Sequence, residues 1–553
     1  NVNYGSAATK EVAKKFTIDK TAPKITVTIS GVEFRDTFYS DNLAFTVAIE
    51  EHNYAAERYT PVFVVKKPVT KEIIGYSIPT PHETHENDMH TYTYDFTEEY
   101  IYELQSVAVI DMAGNDAKDE TLHIASLDRT DPKIEILYSA ADKEGASIAS
   151  NNPLDRVATN AATFRPEIII SDAFLDTSTT DYYSITLRGN YNGYISNDSG
   201  YGIRYNVNSS ADSSNNLYVS TITYNNFEAE EDIDDIYVLT VTAQDQAGRI
   251  TEKSVMFSLN RFGSTFMVDN STHMLLNNYY TNEPQNVKLI QINAAEIEDG
   301  RISMERDSVS TDLVLDSDYT ETKTYPGNVS SGSGTATNWY ECVYDINKDN
   351  FNQDGMYSIT VYTADSAENS ISSALSQRTI NLFKDNKPEN STLVEDDGSL
   401  DAPVNFLVDT VNPTTSISGL ENDQYFTGSH QIVFYANDDV KIKDVYLYAS
   451  TDADANIKNL THEAKAEGEA AKEGKIYDIK ATGGSGIQYI TLVAHDMAGN
   501  EYVSEAMRVQ VTTNPIQWFL HNTIAIMIAA TLLVAALVVI IILIKRKRDK
   551  GLE

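Results

Sequence analysis

The chain has 553 residues, 81 acids against 42 bases, a formal net charge of -39 and one cysteine. That length is too great for one hydrophobic core and asks for about three to five domains. So acidic a surface argues against nucleic-acid binding and other phosphate-tracking functions, and a lone Cys342 leaves no intramolecular disulfide, so each domain must be held by its core.

Residues 1–18 read as the tail of a preceding domain. At Ile18 a strand ends, a short Asp-Lys-Thr-Ala-Pro joint follows, and another strand begins at Lys24. The same layout returns after Leu127 and after Val408, where Pro132 and Pro413 match Pro23. Proline fixes φ and disfavours helix just before it, so these segments are short, stiff connections between domains. After the first joint, Leu43 to Tyr54 alternates apolar and polar residues and runs into an acidic loop; Glu167 to Phe174, Val287 to Ile297 and Gln431 to Val440 do the same. Such alternation is that of a half-buried strand. Strands are also expected from Tyr59, Tyr183 and Val445.

Pro81 to His90 holds the main histidine cluster, but its spacings miss the His-Glu-x-x-His pattern of helical zinc sites, so a solvated loop is expected. Phe96, Phe227 and Phe351 are each followed by acidic residues and then by Tyr102, Tyr237 and Tyr357. An aromatic of this kind ahead of an alternating strand has the form of the tyrosine corner, in which the hydroxyl ties a crossing chain to backbone. Four alternating runs then end in Asp-x-Ala-Gly-Asn or a close variant, with the aspartates at 111, 245, 365 and 496. Gly114, Gly248 and Gly499 take positive φ in these turns without steric cost, whereas Glu368 in the third copy predicts a different or more strained turn.

On the proline joints, the Asn350-Phe-Asn-Gln-Asp-Gly-Met-Tyr357 segment and the Asp-x-Ala-Gly-Asn turns, the chain resembles the bacterial immunoglobulin-like repeats of Gram-positive surface proteins over nearly all of residues 20–513. The resemblance implies an all-β protein of tandem immunoglobulin-like β-sandwiches at 19–128, 129–262, 263–410 and 411–514, with one C-terminal transmembrane α-helix. The repeats are longer than the roughly 100 residues of a minimal sandwich, so loops are expected at 191–216, 303–338 and 385–404. A short surface helix is expected within 454–475. The family serves adhesion, spacing and enzyme attachment alike.

Thr523 to Ile544 runs for 22 residues without a charge and is followed at once by Lys545, Arg546, Lys547 and Arg548. At about 1.5 Å per residue a helix of that length spans roughly 33 Å, enough for a hydrocarbon core of about 30 Å. The basic cluster marks the cytoplasmic side, which puts residues before Trp518 outside, with Trp518 at the outer interface, 518–544 as the span and 545–553 as the cytoplasmic tail. The tail is basic, so the part outside carries about -42 of formal charge. No Leu-Pro-x-Thr-Gly precedes the span, so retention in the membrane is expected; no signal peptide stands at Asn1, so the chain is expected to be a fragment or processed form.

Acids at the exits of the second strands (Glu50, Glu51, Asp172, Glu296, Asp438, Asp439), in the joints (Asp19, Asp128, Asp409) and in the hairpins (Asp111, Asp245, Asp365, Asp496) stand where they could meet at domain ends. Calcium is therefore the one candidate cofactor, with the four hairpin aspartates as candidate ligands. The plain alternative is that each Asp caps its own turn. Asp345 to Asp354 has part of a calcium-loop pattern but lacks its glycine and its bidentate acid, and is read as the lead into a strand. No nucleophile elbow and no phosphate loop is present, and Cys342 sits in a strand-like run as a small core residue. No catalytic residue is assigned. The expected function is a non-catalytic cell-surface stalk or adhesin whose partners are the membrane and, through distal loops, glycans or host and cell-surface proteins. The alternative is an accessory region of a polysaccharide-degrading enzyme or a carbohydrate-binding protein, the latter centred on the Tyr/Asn/Ser-rich insert after Tyr191.

Overall fold

A computed structural model of the chain describes all residues except 1–13, 17, 191, 198–199, 231–232, 327–338, 374–390, 394–403 and 550–553. Most of the tail expected at 1–18 and most of the loop expected at 385–404 lie outside the described residues.

The described strands group into four successive all-β bodies, here modules I to IV, each with its own core. In module I, Lys24–Arg35, Phe38–Glu50, Met89–Phe96 and His82–Glu86 form one layer. Tyr59–Lys66, Ile101–Ile110 and His123–Leu127 form the other, joined by the start of Phe38–Glu50, which runs parallel to His123–Leu127. Along Phe38–Glu50 the side chains of Leu43, Phe45, Val47 and Ile49 are buried while their neighbours face outward. That is the period-2 pattern a half-buried strand requires, and each large side chain so buried contributes about 1.5–3 kcal/mol.

A short strand parallel to the last strand recurs in every later module. Val157–Thr159 pairs with Ile250–Leu259, Tyr280–Thr281 with Val404–Val408, and Gln424–Thr427 with Met507–Thr512. This parallel edge inside otherwise antiparallel two-layer bodies marks the modules as immunoglobulin-like sandwiches.

Each of the first three modules is pinned by a tyrosine. The Tyr102 hydroxyl donates to the Glu98 carbonyl at 2.7 Å, Tyr357 donates to Gln353 at 2.8 Å, and Tyr237 donates to Ile233. Each ring packs on the preceding phenylalanine: Phe96 on Tyr102, Phe227 on Tyr237 and Phe351 on Tyr357, with centroids 4.0, 5.6 and 5.2 Å apart. Tyr102 stands one residue further from its hairpin aspartate than the others do, because a bulge at Gln105 adds a residue to that strand. Module IV has no tyrosine there. The buried Gln488 takes the position and donates its amide to the Lys480 carbonyl at 2.9 Å.

In the hairpin turns Gly114, Gly248 and Gly499 have φ of 93°, 82° and 101°. Glu368 is held at 67°, a left-handed conformation that costs a side-chain-bearing residue on the order of 1–2 kcal/mol.

Pro81 to His90 is not a loop. His82–Glu86 and Met89–Phe96 form an exposed hairpin turning at Asn87, whose φ is 56°; its strand pattern is hidden because both faces of the outer strand are polar. Part of the insert after Tyr191 likewise folds into Gly193–Ile195 and Tyr205–Asp212, which extend the two layers of module II. The 303–338 insert contains Val309–Asp312 and Tyr319–Thr324. Within 454–475 the helix is five residues, Glu469–Glu473, beside the strand Ala464–Glu467. At the C-terminus a short helix, Pro515–His521, carries Trp518, and Thr523–Asp549 forms one helix that includes Lys545, Arg546, Lys547 and Arg548. The long helix is apolar and long enough to cross a bilayer, and none of it is buried against the modules.

Candidate cation sites at the module joints

Five residues separate the last strand of one module from the first strand of the next: 128–132, 260–264 and 409–413. Modules so close must touch, and the contacts collect around each hairpin aspartate. The backbone explains why. The hairpin aspartate closes its own turn, accepting from the backbone N–H four residues on: Asn115 to Asp111, Arg249 to Asp245, Asn369 to Asp365 and Asn500 to Asp496. The residue at the exit of the second strand does likewise two residues on, through Glu51, Asp172, Asn293 and Asp438. Joint residues Asp19, Asp128 and Asp409 cap Thr21, Thr130 and Val411. Each carboxylate therefore commits one oxygen to local backbone, as short acidic side chains in turns do, and turns the other toward the joint.

At the second joint, between modules I and II, Asp128, Asp172 and Asp245 bring carboxylate oxygens within 4.8 Å of one another, and the residues are 0%, 3% and 4% exposed. The free oxygens Asp128 Oδ2 and Asp245 Oδ2 are buried and accept no hydrogen bond. Burial, followed by the charges of Asp172 and Asp245, pushes the Asp128 carboxyl far up; burial also raises Asp245, and raises Asp172 to about 7. The Arg249 charge offsets part of the rise at Asp245, but its guanidinium makes its hydrogen bonds elsewhere, pairing with Asp131 at 2.8 Å and reaching the Ser40 carbonyl.

The fourth joint, between modules III and IV, repeats the arrangement with Asp409, Asp438 and Asp439. Asp409 Oδ2 and Asp438 Oδ2 are again buried without a partner. Burial raises Asp409 to about 6, with Asp438, Asp496 and Asp439 adding to the rise. Asp496 stands beside this group, but Asn500 donates to its outward oxygen at 2.7 Å.

The first joint brings together Asp19, Glu51 and Asp111, but here amides answer the acids. Asn53 donates to Asp19 and Asn115 to Asp111, both at 2.8 Å. These hydrogen bonds outweigh what burial does to Asp111 and hold both carboxyls below the ordinary carboxylate value.

The third joint, between modules II and III, keeps the framework and changes the chemistry. Asn260 takes the place of Asp128, Asn293 that of Asp172, and only Asp365 is acidic. The Asn260 and Asn293 amides donate to Asp365 Oδ2 at 2.7 and 3.0 Å, and Asn260 also donates to Asn293. Next to them Arg261 forms a buried ion pair with Asp234 at 3.1 Å. An apolar cluster of Ile236 and Met256 from module II with Met267, Ile290, Ile292 and Trp339 from module III closes the joint.

The four hairpin aspartates singled out from sequence thus stand in different settings: Asp111 and Asp245 inside acid clusters, Asp496 beside one, and Asp365 among amides. Glu50 and Glu296 are in none of the clusters among the described residues. Reading from sequence set a module boundary at 262/263 but named no joint motif there, although Ser258-Leu-Asn-Arg261 repeats Ser126-Leu-Asp-Arg129 with one amide for one acid. Cys342 is buried in module III, and burial pushes its thiol up to about 11. The donor sets at the joints are oxygen only, which suits calcium or magnesium rather than zinc or copper.

No protein-family model matches the chain, and no curated protein does. Among solved structures it is similar to a tetra-tandem repeat in the extending region of a large adhesion protein, with 11% identity over 89% of this chain and 100% of that one and a TM-score of 0.26. It is similar to Dpr2 Ig1-Ig2 in complex with DIP-Theta Ig1-Ig3, with 11% identity, 64% and 97% coverage and a TM-score of 0.30. Fibronectin(III)-like modules of Clostridium thermocellum CbhA match with 11% identity, 45% and 94% coverage and a TM-score of 0.19. The strand pairings described above define the class: tandem immunoglobulin-like modules followed by one apolar helix.

Proposed function

We propose that this chain is a non-catalytic stalk of a bacterial cell surface, held in the membrane by Thr523–Asp549 and projecting whatever its N-terminal end carries. The observation that supports this most is the construction of the joints. Each is five residues long and is crossed by side-chain bonds between modules, such as Arg249 to Ser40 and Asn282 to Asn500. Phe38 of module I also packs edge-on against Phe174 of module II, with centroids 6.2 Å apart. Modules tied in this way resist folding back on one another, so their lengths add. The basic Lys545–Arg548 end stays in the cytoplasm and the acidic modules lie outside.

The full chain reconstituted in vesicles with acceptor-labelled lipids tests the reading. A donor dye on Asn87→Cys, an exposed turn in module I, should show negligible energy transfer to the bilayer, and one on Glu505→Cys, near the helix, strong transfer. Equal transfer from the two positions refutes a projecting stalk.

A further inference from the structure

We propose that the acid clusters of the second and fourth joints are sites for a hard divalent cation, calcium by the chemistry of their donors, and that the third joint carries an amide replacement that locks without one. The inference depends on the joints and not on what the stalk projects.

At the second joint three carboxylates are almost wholly buried, two of their oxygens accept no hydrogen bond, and the neighbouring Arg249 gives its guanidinium hydrogen bonds to Asp131 and the Ser40 carbonyl instead. Buried carboxylates facing each other are costly unless a proton or a cation is shared among them. Calcium holds oxygens at about 2.3–2.6 Å, so ligands on one ion stand at most roughly 5 Å apart. The 4.8 Å limit that encloses these oxygens meets that requirement. The ligands also come from both sides of the joint: Asp128 ends module I, while Asp172 and Asp245 belong to module II. An ion there would be a clasp between modules. Asp409 ends module III and Asp438 and Asp439 belong to module IV, so the fourth joint also draws ligands from both sides, again with two unanswered buried oxygens, though its third acid, Asp439, is exposed.

The third joint is the internal control. Where two acids become Asn260 and Asn293, their amides both donate to the free oxygen of Asp365 and Asn260 donates to Asn293, so no carboxylate oxygen is left unanswered and the one buried acceptor without a partner, Asn260 Oδ1, is neutral. The Arg261–Asp234 pair and the apolar cluster around Trp339 complete a joint that is closed by protein groups alone. Removal of calcium should therefore loosen the stalk on both sides of a II–III pair that stays joined. The first joint, whose acids are answered by amides, is left out of the proposal.

The test is calcium titration calorimetry on the full chain in detergent, first stripped with chelator. Relative to the unchanged protein, Asp128→Asn with Asp172→Asn should lose one equivalent of bound calcium, and Asp409→Asn with Asp438→Asn should lose one. Asn260→Asp with Asn293→Asp should gain one. The first two pairs copy the amides of the third joint, so those variants keep a folded joint, and melting in chelator verifies it. Differences between proteins carry the result, so binding at the first joint does not alter it. The same stoichiometry in all four proteins, or no saturable heat in any, overturns the proposal. Binding of magnesium but not calcium overturns the choice of ion.

Discussion

Removing one oxygen atom from each tyrosine corner should weaken one module at a time. Tyr102, Tyr237 and Tyr357 are 0%, 0% and 1% exposed, and each hydroxyl donates to a carbonyl four residues back. Tyr→Phe keeps the ring and its packing on the neighbouring phenylalanine, so no cavity opens; what is lost is one buried hydrogen bond and a satisfied acceptor. A neutral bond of that kind contributes about 0.5–1.5 kcal/mol, and leaving its partner unmet costs on the order of 1–3 kcal/mol. The expected loss is about 1–2 kcal/mol for Tyr102→Phe and Tyr357→Phe. Tyr237→Phe should cost more, because its hydroxyl also accepts from Asn192 at 3.2 Å. Scanning calorimetry of the full chain would show one transition of the set moving down by roughly 3–8 °C while the others stay. Tyr194→Phe, at a side chain 72% exposed, is the control and should move nothing. If the corner variants behave like the control, or if all transitions shift together, the corners are not what pins these modules.

Two further outcomes follow from local geometry. Glu368→Gly should stabilise module III by about 0.5–1 kcal/mol by relieving the left-handed glutamate, whereas Gly114→Ala and Gly499→Ala should destabilise their modules by a similar amount; urea unfolding measures both signs. Asp234→Ala strands the Arg261 charge in the II–III joint and should cost about 3–5 kcal/mol, while Asp234→Leu combined with Arg261→Met should recover most of that in the same assay.

The sandwich class was legible because the strands that carry the cores alternate cleanly, as Phe38–Glu50 does, and because proline joints and glycine turns punctuate them. The His82–Glu86 strand was not legible as a strand, since an edge strand polar on both faces carries no periodic signal. Gln488 in place of the fourth corner tyrosine was missed for a related reason: the geometry asks for a donor at that point, and an amide supplies it as well as a phenol. At the joints the acids were legible from sequence as candidates to meet at domain ends. Which of their oxygens remain unanswered depends on where Asn53, Arg249 and Asn500 point, and that is a property of the packed joint.

The central claim is that residues before the apolar helix form separately folded sandwiches in series. Force spectroscopy on the full chain in a supported bilayer, pulled from its N-terminal end, tests it most directly. Four separate unfolding events are expected before the helix leaves the membrane, each releasing roughly 350–500 Å at about 3.4 Å per residue. A single cooperative release of the whole extramembrane length would contradict the account.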